Sequence, residues 1–235
     1  MFMLRVKKHY VSILGLVLAL VVVLPTEARA DLFGFEAITN NSGVEGTYAG
    51  QLAVDVTDPG SNQVLFTFYN DGPGGSLYDV LSPIAGAITE IYFDDGTLLG
   101  SPTITNMVGV NFVNGATPAN LPGGDSLDPD FTATVGFSAE SAPENPVNGV
   151  NPGEHVALLF GLQTGATFAN VLYAIGLGFN DPGNAGALRI GIHVRGIEPT
   201  GVNQSDSFIM VPVPGAVILG IFGLSVVGLK LRRFA

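Results

Sequence analysis

Cysteine is absent from the 235-residue chain. This absence excludes disulfide bonds, zinc sites built on thiolates and catalysis by a cysteine nucleophile. It is also typical of an exported protein, which avoids mispaired thiols in an oxidising compartment. Hydrophobic residues make up 47% of the chain and include 15 phenylalanines, so the sequence predicts a folded core rather than disorder.

Basic residues are nearly absent from the middle of the chain. Between residues 31 and 210, 19 acidic residues stand against only two basic ones, Arg189 and Arg195, which gives a net charge of −17. A surface this acidic argues against binding DNA, RNA or anionic lipid through that region. Attraction of Ca²⁺ or of cationic partners stays open.

Catalytic motifs are missing as well. No Gly-x-Ser-x-Gly elbow occurs, and the glycine-rich stretches precede no Lys-Ser/Thr pair, so they are not phosphate loops. Beyond residue 30 only two histidines remain, His155 and His193, both on the polar side of predicted strands. We interpret them as exposed strand residues; a shared metal is the alternative if their strands pair. The sequence therefore predicts no enzyme, no catalytic residues and no resident metal.

The best candidate for a Ca²⁺ site in the sequence is a group of loop carboxylates. Asp125, Asp128 and Asp130 lie in a Gly- and Pro-rich loop, and clustered oxygen ligands can hold Ca²⁺. Their spacing is not that of an EF-hand, and solvated turn carboxylates are the preferred interpretation. No cofactor is expected, with Ca²⁺ as the one alternative.

The first 30 residues have the pattern of a secretory signal peptide. A basic start is followed by a fourteen-residue apolar run (11–24), and small residues, Ala28 and Ala30, precede Asp31. This pattern predicts cleavage by signal peptidase between Ala30 and Asp31. An uncleaved signal anchor is the alternative.

The last 25 residues combine a proline motif, an apolar stretch and a basic end. Val211 to Leu229 supplies nineteen residues, just enough for a transmembrane helix. The positive-inside rule places the terminal cations in the cytoplasm, so both chain ends predict the same topology. A buried core helix is the alternative. The basic residues that follow the apolar stretch are Lys230, Arg232 and Arg233.

This tail resembles a PEP-CTERM sorting signal, which bacterial exosortases process. The resemblance is confined to residues 211–235, and Val213 stands where the family usually has glutamate. It implies an exosortase-like partner, an envelope location and an association with extracellular polysaccharide. The tail is then either cleaved or kept as an anchor. The motif positions are Val211, Pro212, Val213, Pro214, Gly215 and Ala216.

The middle of the chain alternates apolar and polar residues with a period of two. Residues 52–57 and 64–69 flank a short turn and predict a β-hairpin. One helical pattern begins at Phe168, with Thr167 as its N-cap. Further strands are predicted at 89–93, 104–112, 131–137, 156–162 and 188–195, with loops at 113–130 and 141–153.

These elements predict a mostly β fold, an antiparallel β-sandwich with one short helix. An open barrel or a jelly roll is the alternative. The predicted organisation is a signal peptide (1–30), a β-rich extracytoplasmic domain (31–196), a linker (197–210) and the sorting segment (211–235).

Two functions follow as hypotheses. The first is an exported, non-catalytic cell-surface or extracellular-matrix protein, anchored in the inner membrane at least transiently. The alternative is a surface hydrolase that acts through Glu90, Asp94 or Glu154, or a Ca²⁺-dependent carbohydrate-binding module. Tyrosines could supply a sugar-stacking face, although nothing in their spacing places them on one surface. They are Tyr48, Tyr69, Tyr78, Tyr92 and Tyr173.

Overall fold

The computed structural model describes residues 30–71, 84–139, 148–197 and 204–213; at Ala30 it describes the backbone alone. Within these ranges the chain forms ten strands and two α-helices. The strands are β1 (Ala30–Ala37), β2 (Leu52–Thr57), β3 (Gln63–Asn70), β4 (Ala87–Asp95), β5 (Leu99–Asn106), β6 (Phe112–Asn114), β7 (Val135–Ala139), β8 (His155–Leu162), β9 (Leu188–Ile197) and β10 (Gln204–Pro212). The helices are α1 (Glu45–Ala49) and α2 (Phe168–Asn180).

All ten strands belong to one antiparallel sheet in the order β5-β8-β3-β2-β1-β10-β9-β4-β7-β6. The sheet is nearly closed. The Asn106 side chain of β5 accepts a hydrogen bond from the Phe112 backbone N–H of β6 at 2.9 Å. Contact between the two edge strands protects backbone groups that an open sheet would leave unpaired.

Aromatic contacts show how the sheet curls on itself. Phe66 of β3 and Phe93 of β4 are separated by four intervening strands, yet their ring centroids lie 5.1 Å apart. Phe160 of β8 meets Phe93 at 4.9 Å with an interplanar angle of 62°. Edge-to-face packing of this kind adds to the free energy gained by burying the rings. The core therefore lies inside the curled sheet.

The prediction of a mostly antiparallel β fold is confirmed, with one continuous sheet in place of two separate ones. The predicted hairpin is β2 and β3, paired from Leu52 opposite Asn70 to Thr57 opposite Leu65. The helical pattern is also confirmed, because Thr167 caps α2 and Val171 and Ile175 are buried. A short second helix, α1, was not expected.

Two predicted strands have different boundaries. The pattern at 104–112 is divided between β5 and β6 by a turn, in which Val108 is 95% exposed and Gly109 has a φ of 97°. The pattern at 131–137 contributes a strand only from Val135. An alternating pattern does not reveal a tight turn inside it.

The linker prediction for residues 197–210 is wrong at Ile197, which ends β9, and at residues 204–210, while residues 198–203 lie outside the described residues. Residues from Gln204 onward form β10, which lies between β1 and β9. Phe208 and Met210 point into the core and are buried. The polar residues at the start of this segment concealed the alternation that follows them.

Residues 1–29 and 214–235 lie outside the described residues, so the signal peptide and the C-terminal helix stay predictions. None of the helices in the described ranges has the length and hydropathy needed to span a bilayer.

Candidate functional site

The turn at residues 96–98, between β4 and β5, is held by the carboxylate of Asp95. Its Oδ2 accepts hydrogen bonds from the backbone N–H groups of Leu98, at 3.1 Å, and Leu99, at 2.8 Å. The Asp95 N–H in turn donates to Thr134 Oγ1 at 3.1 Å. At Gly96, a Cβ would lie 2.3 Å from the carbonyl oxygen of Ala185. Only glycine therefore lets the turn pack this closely against the loop before β9.

Three depressions adjoin this turn, and Asp95 and Gly96 line all of them. Their volumes are about 750, 300 and 280 Å³. We call the three together the turn groove. Its other polar lining residues include Thr97, Thr134, Gln163, Thr164, Asn170, Tyr173 and Asn184.

Asp94 and Arg189 line the smallest of the three depressions and pair with each other. Arg189 Nε donates to Asp94 Oδ2 at 2.9 Å, and Arg189 Nη1 donates to the carbonyl oxygen of Pro129 at 2.7 Å. The guanidinium also lies 5.4 Å from the ring centroid of Phe131. Burial raises the pKa of Asp95 above its ordinary value, and the nearby charge of Asp94 raises it further. The hydrogen bonds from the backbone N–H groups lower this pKa, but they do not cancel the effect of burial.

A second polar feature crosses three central strands. Ser207 of β10 pairs with His193 of β9, and His193 pairs with Glu90 of β4. We call these three residues the polar row. His193 Nδ1 lies 2.8 Å from Glu90 Oε2, and Arg195 Nη2 lies 3.0 Å from Glu90 Oε1. All three residues of the row are buried, so the expectation of an exposed His193 is wrong.

Serine, histidine and glutamate are the residue types of a hydrolase triad, but the polar row lacks the bond that such a triad needs. The Ser207 Oγ atom is buried and has no hydrogen-bond partner among the described residues. Ser207 makes no hydrogen bond to His193 in this structure, so the three residues do not form the bonded series that defines a triad. The contacts that do form pair one carboxylate with two basic side chains, which is how a buried charge is tolerated.

The two histidines are not neighbours. His155 lies on β8 and His193 on β9, and these strands do not pair. The His155 ring instead lies 5.6 Å from the ring of Tyr69. In the part of the chain that the structure describes, no group of three or more His, Asp or Glu side chains is placed to hold a metal ion. The loop residues Asp125, Asp128 and Asp130 are exposed.

Two of the carboxylates proposed for a hydrolase lie well apart along one strand. Glu90 and Asp94 lie four residues apart on β4, which separates their Cα atoms by roughly 13 Å. A glycosidase needs about 5 to 9.5 Å between its two carboxyl groups. Glu154 accepts a hydrogen bond from the Asn151 backbone N–H at 2.8 Å, so it stabilises a loop.

Of the tyrosines considered for a sugar-stacking face, one is exposed within the described ranges. Tyr48 and Tyr92 are buried in the domain, and Tyr69 is half-buried. Tyr173 on α2 is 67% exposed and lines the turn groove. Tyr78 lies outside the described residues.

The predicted processing residues that the structure describes lie on two paired strands. Ala30 and Asp31 begin β1, and Val211 and Pro212 end β10. Phe33 pairs with Pro212 in this antiparallel register, and Val213 follows the strand. The remaining predicted positions lie outside the described residues: Ala28, Pro214, Gly215, Ala216, Lys230, Arg232 and Arg233.

The turn groove and the polar row were both missed by the sequence analysis. One signal for the polar row was available, because both basic residues of the middle, Arg189 and Arg195, fall on one face of one predicted strand. In a chain this acidic, they require acidic partners. The depressions of the turn groove depend on packing between distant segments and leave no such signal. The chain matches no protein-family model, no curated protein and no solved structure.

Proposed function

We propose that this chain is an exported, non-catalytic cell-surface or extracellular-matrix protein that is sorted through its C-terminal tail. The observation that carries the proposal is the pairing of β1 with β10. β1 begins at Ala30, the last residue of the predicted signal peptide. β10 ends at Pro212, so the first two residues of the predicted membrane span belong to this strand. Since Phe33 lies opposite Pro212, both hydrophobic ends leave the domain at the same end of the sheet.

This arrangement suits a domain that is attached to one side of a membrane. Two segments that insert into the same bilayer must leave the domain on the side that faces it, or cross the domain to reach it. The acidic middle, with its net charge of −17, then stays in water outside the cell. The basic residues at both ends stay on the cytoplasmic side.

In the proposed pathway, signal peptidase cuts between Ala30 and Asp31, and the tail holds the protein in the inner membrane. An exosortase-like enzyme then releases it to the cell surface, or the tail persists as an anchor. The hydrolase alternative gains no support from Glu90 and Asp94, which lie four residues apart along β4. For the binding-module alternative, the turn groove is the candidate binding site.

The experiment compares the full chain with a chain that ends at Val213, in a bacterial host that has an exosortase. The shortened chain keeps β10 complete and loses residues 214–235, which hold most of the predicted membrane span and the basic end. We expect both to begin at Asp31 by intact mass. The full chain should be found in the membrane or at the surface, and the shortened one in the soluble exported fraction.

A triple substitution of Lys230, Arg232 and Arg233 by glutamine is the matched control, since it keeps the apolar stretch but removes the cytoplasmic charges. It should impair retention in the membrane. Recovery of the full chain only from the cytosol, with Met1 still attached, would disprove the export proposal.

A further inference from the structure

We propose that the turn groove is a binding site for a neutral oligosaccharide chain, with the Tyr173 ring as the surface on which one sugar unit stacks. The inference goes beyond the proposed function and does not depend on export. It rests on the charge, the hydrogen-bonding groups and the shape of the groove.

A neutral ligand follows from the charges at the site. Arg189, which lines the smallest depression, is occupied by Asp94 and by the carbonyl oxygens of Pro129 and Asp130. The carboxylate of Asp95 is turned toward the backbone N–H groups that it binds. The surrounding domain is strongly acidic and repels anions such as phosphates and carboxylates.

The polar side chains that line the groove favour a ligand rich in hydroxyl groups. The groove presents side-chain amides and hydroxyls, and a primary amide can both donate and accept. Asn184 uses one donor on Asp181 and one acceptor position on the Gly186 N–H, which leaves one donor and one acceptor position. Gln163 uses one donor on the carbonyl oxygen of Leu99. Sugar hydroxyls, which also donate and accept, complement such groups.

Tyr173 supplies the apolar part of the site. Tyr173 is 67% exposed, although tyrosine more often buries its ring in a core or an interface. The helix that carries it is fixed by its other side, where Val171, Ala174 and Ile175 are buried. An exposed ring on a packed helix, beside polar groups, matches a sugar ring, which has one apolar C–H face and a rim of hydroxyls.

The length of the ligand follows from the shape of the groove. The largest depression, with Gln163 and Thr164, and the one with Tyr173 share Asp95, Gly96 and Thr97. A ligand that uses both must cross the turn, so a chain of several sugar units fits better than a single one. The turn is locked by Asp95 and Gly96, and a preorganised site loses little entropy on binding.

The test uses the purified full-length chain in detergent, in affinity electrophoresis through gels that contain dextran, mixed-linkage β-glucan, galactomannan or xylan. Alginate serves as the anionic comparison. We expect at least one neutral polysaccharide to retard the protein, and alginate not to. Tyr173→Ala should weaken that binding by about tenfold, through loss of the stacked ring.

Three variants separate the site from general effects. Tyr173→Phe keeps the ring and should retain most of the affinity. Asn184→Ala removes hydrogen bonds at the groove and should weaken binding. Val108→Ala alters another exposed apolar side chain, in the turn between β5 and β6, and should change nothing. Melting temperatures confirm that each variant is folded.

The proposal is overturned if none of the four neutral polysaccharides binds, if alginate binds more tightly than they do, or if Tyr173→Ala binds as the unchanged protein does. Because binding is measured on purified protein, these results are independent of whether the chain is exported. Failure of the sorting proposal would instead appear in fractionation, with binding intact.

Discussion

At the scale of single residues, Asp206 shows how a buried charge can join two distant segments. Its Oδ1 accepts hydrogen bonds from Thr39 Oγ1 at 2.8 Å and from the Asn41 N–H at 2.7 Å. Its Oδ2 accepts one from the Ser42 N–H at 3.0 Å. This carboxylate on β10 therefore fixes the loop that follows β1.

These hydrogen bonds predict a pH-dependent stability. Burial alone would raise the pKa of Asp206, but the hydrogen bonds from Ser42, Asn41 and Thr39 outweigh it and hold the pKa below the ordinary value of 3.8. The contribution is therefore complete above about pH 4 and is lost as the pH falls through the lowered pKa. We expect Asp206→Ala to reduce the free energy of unfolding by about 1 to 3 kcal/mol at pH 7.

Urea unfolding of both proteins at pH 7 and at pH 3 measures this effect. The difference between them should shrink at pH 3. Asp125→Ala, at an exposed loop aspartate, is the control and should change stability little at either pH. A loss for Asp206→Ala that is equally large at both pH values would contradict the argument.

The polar row shows why residue partners were not predictable from the sequence. Alternation correctly placed His193 opposite the apolar side of its strand, but its partner Glu90 lies 103 residues away. The register between β4 and β9 shifts at Thr89, so that Ile88 pairs with Val194 while Glu90 pairs with His193. A regular ladder would have placed Glu90 opposite Ile192. A bulge leaves no mark in an alternating pattern.

At the scale of the element, helix α2 is the segment that the sequence specified best. The spacing of its apolar residues and its capping threonine could both be predicted from the sequence, because the contacts within a helix join residues that are close in the chain. The Thr167 side chain accepts from the Asn170 N–H, and the Asn170 side chain accepts from the Thr167 N–H. This reciprocal pairing satisfies backbone donors at the start of the helix.

Loss of this cap has a predictable cost. Thr167→Ala should lower the free energy of unfolding by about 1 kcal/mol, since the N–H of Asn170 loses its side-chain acceptor. Thr167→Ser keeps the hydroxyl and should cost far less. Chemical denaturation of the two variants makes the comparison, and equal losses would show that the methyl group, rather than the cap, stabilises the helix.

Strands were specified less completely than the helix. The β2–β3 hairpin was predictable because both strands alternate and a short turn joins them. The two strands that carry the predicted processing residues were not. β1 was overlooked and β10 was assigned to a linker, although each also pairs with a strand close to it in sequence, β2 and β9. The pairing of β1 with β10 spans more than 160 residues. No local pattern carries that information, so the sequence could predict the class of fold but not the order of its strands.

At the scale of the whole molecule, β10 joins the two parts of the sheet. It lies between β1 and β9, so its removal would break the ten-stranded sheet into a five-stranded part and a four-stranded part. The side chains of Phe208 and Met210 would also be lost from the core. The cost of such cavities adds to that of two newly exposed strand edges.

We therefore expect a chain that ends at residue 203 not to fold cooperatively, whereas a chain that ends at Val213 melts in one transition. Circular dichroism during heating distinguishes the two. Phe208→Ala in the longer chain provides a graded control. It should lower stability by about 3 to 5 kcal/mol, because it opens a cavity but keeps the strand. If the chain ending at residue 203 melted as the longer one does, β10 would be an addition to a complete domain. The shared exit of the two chain ends would then have no structural role.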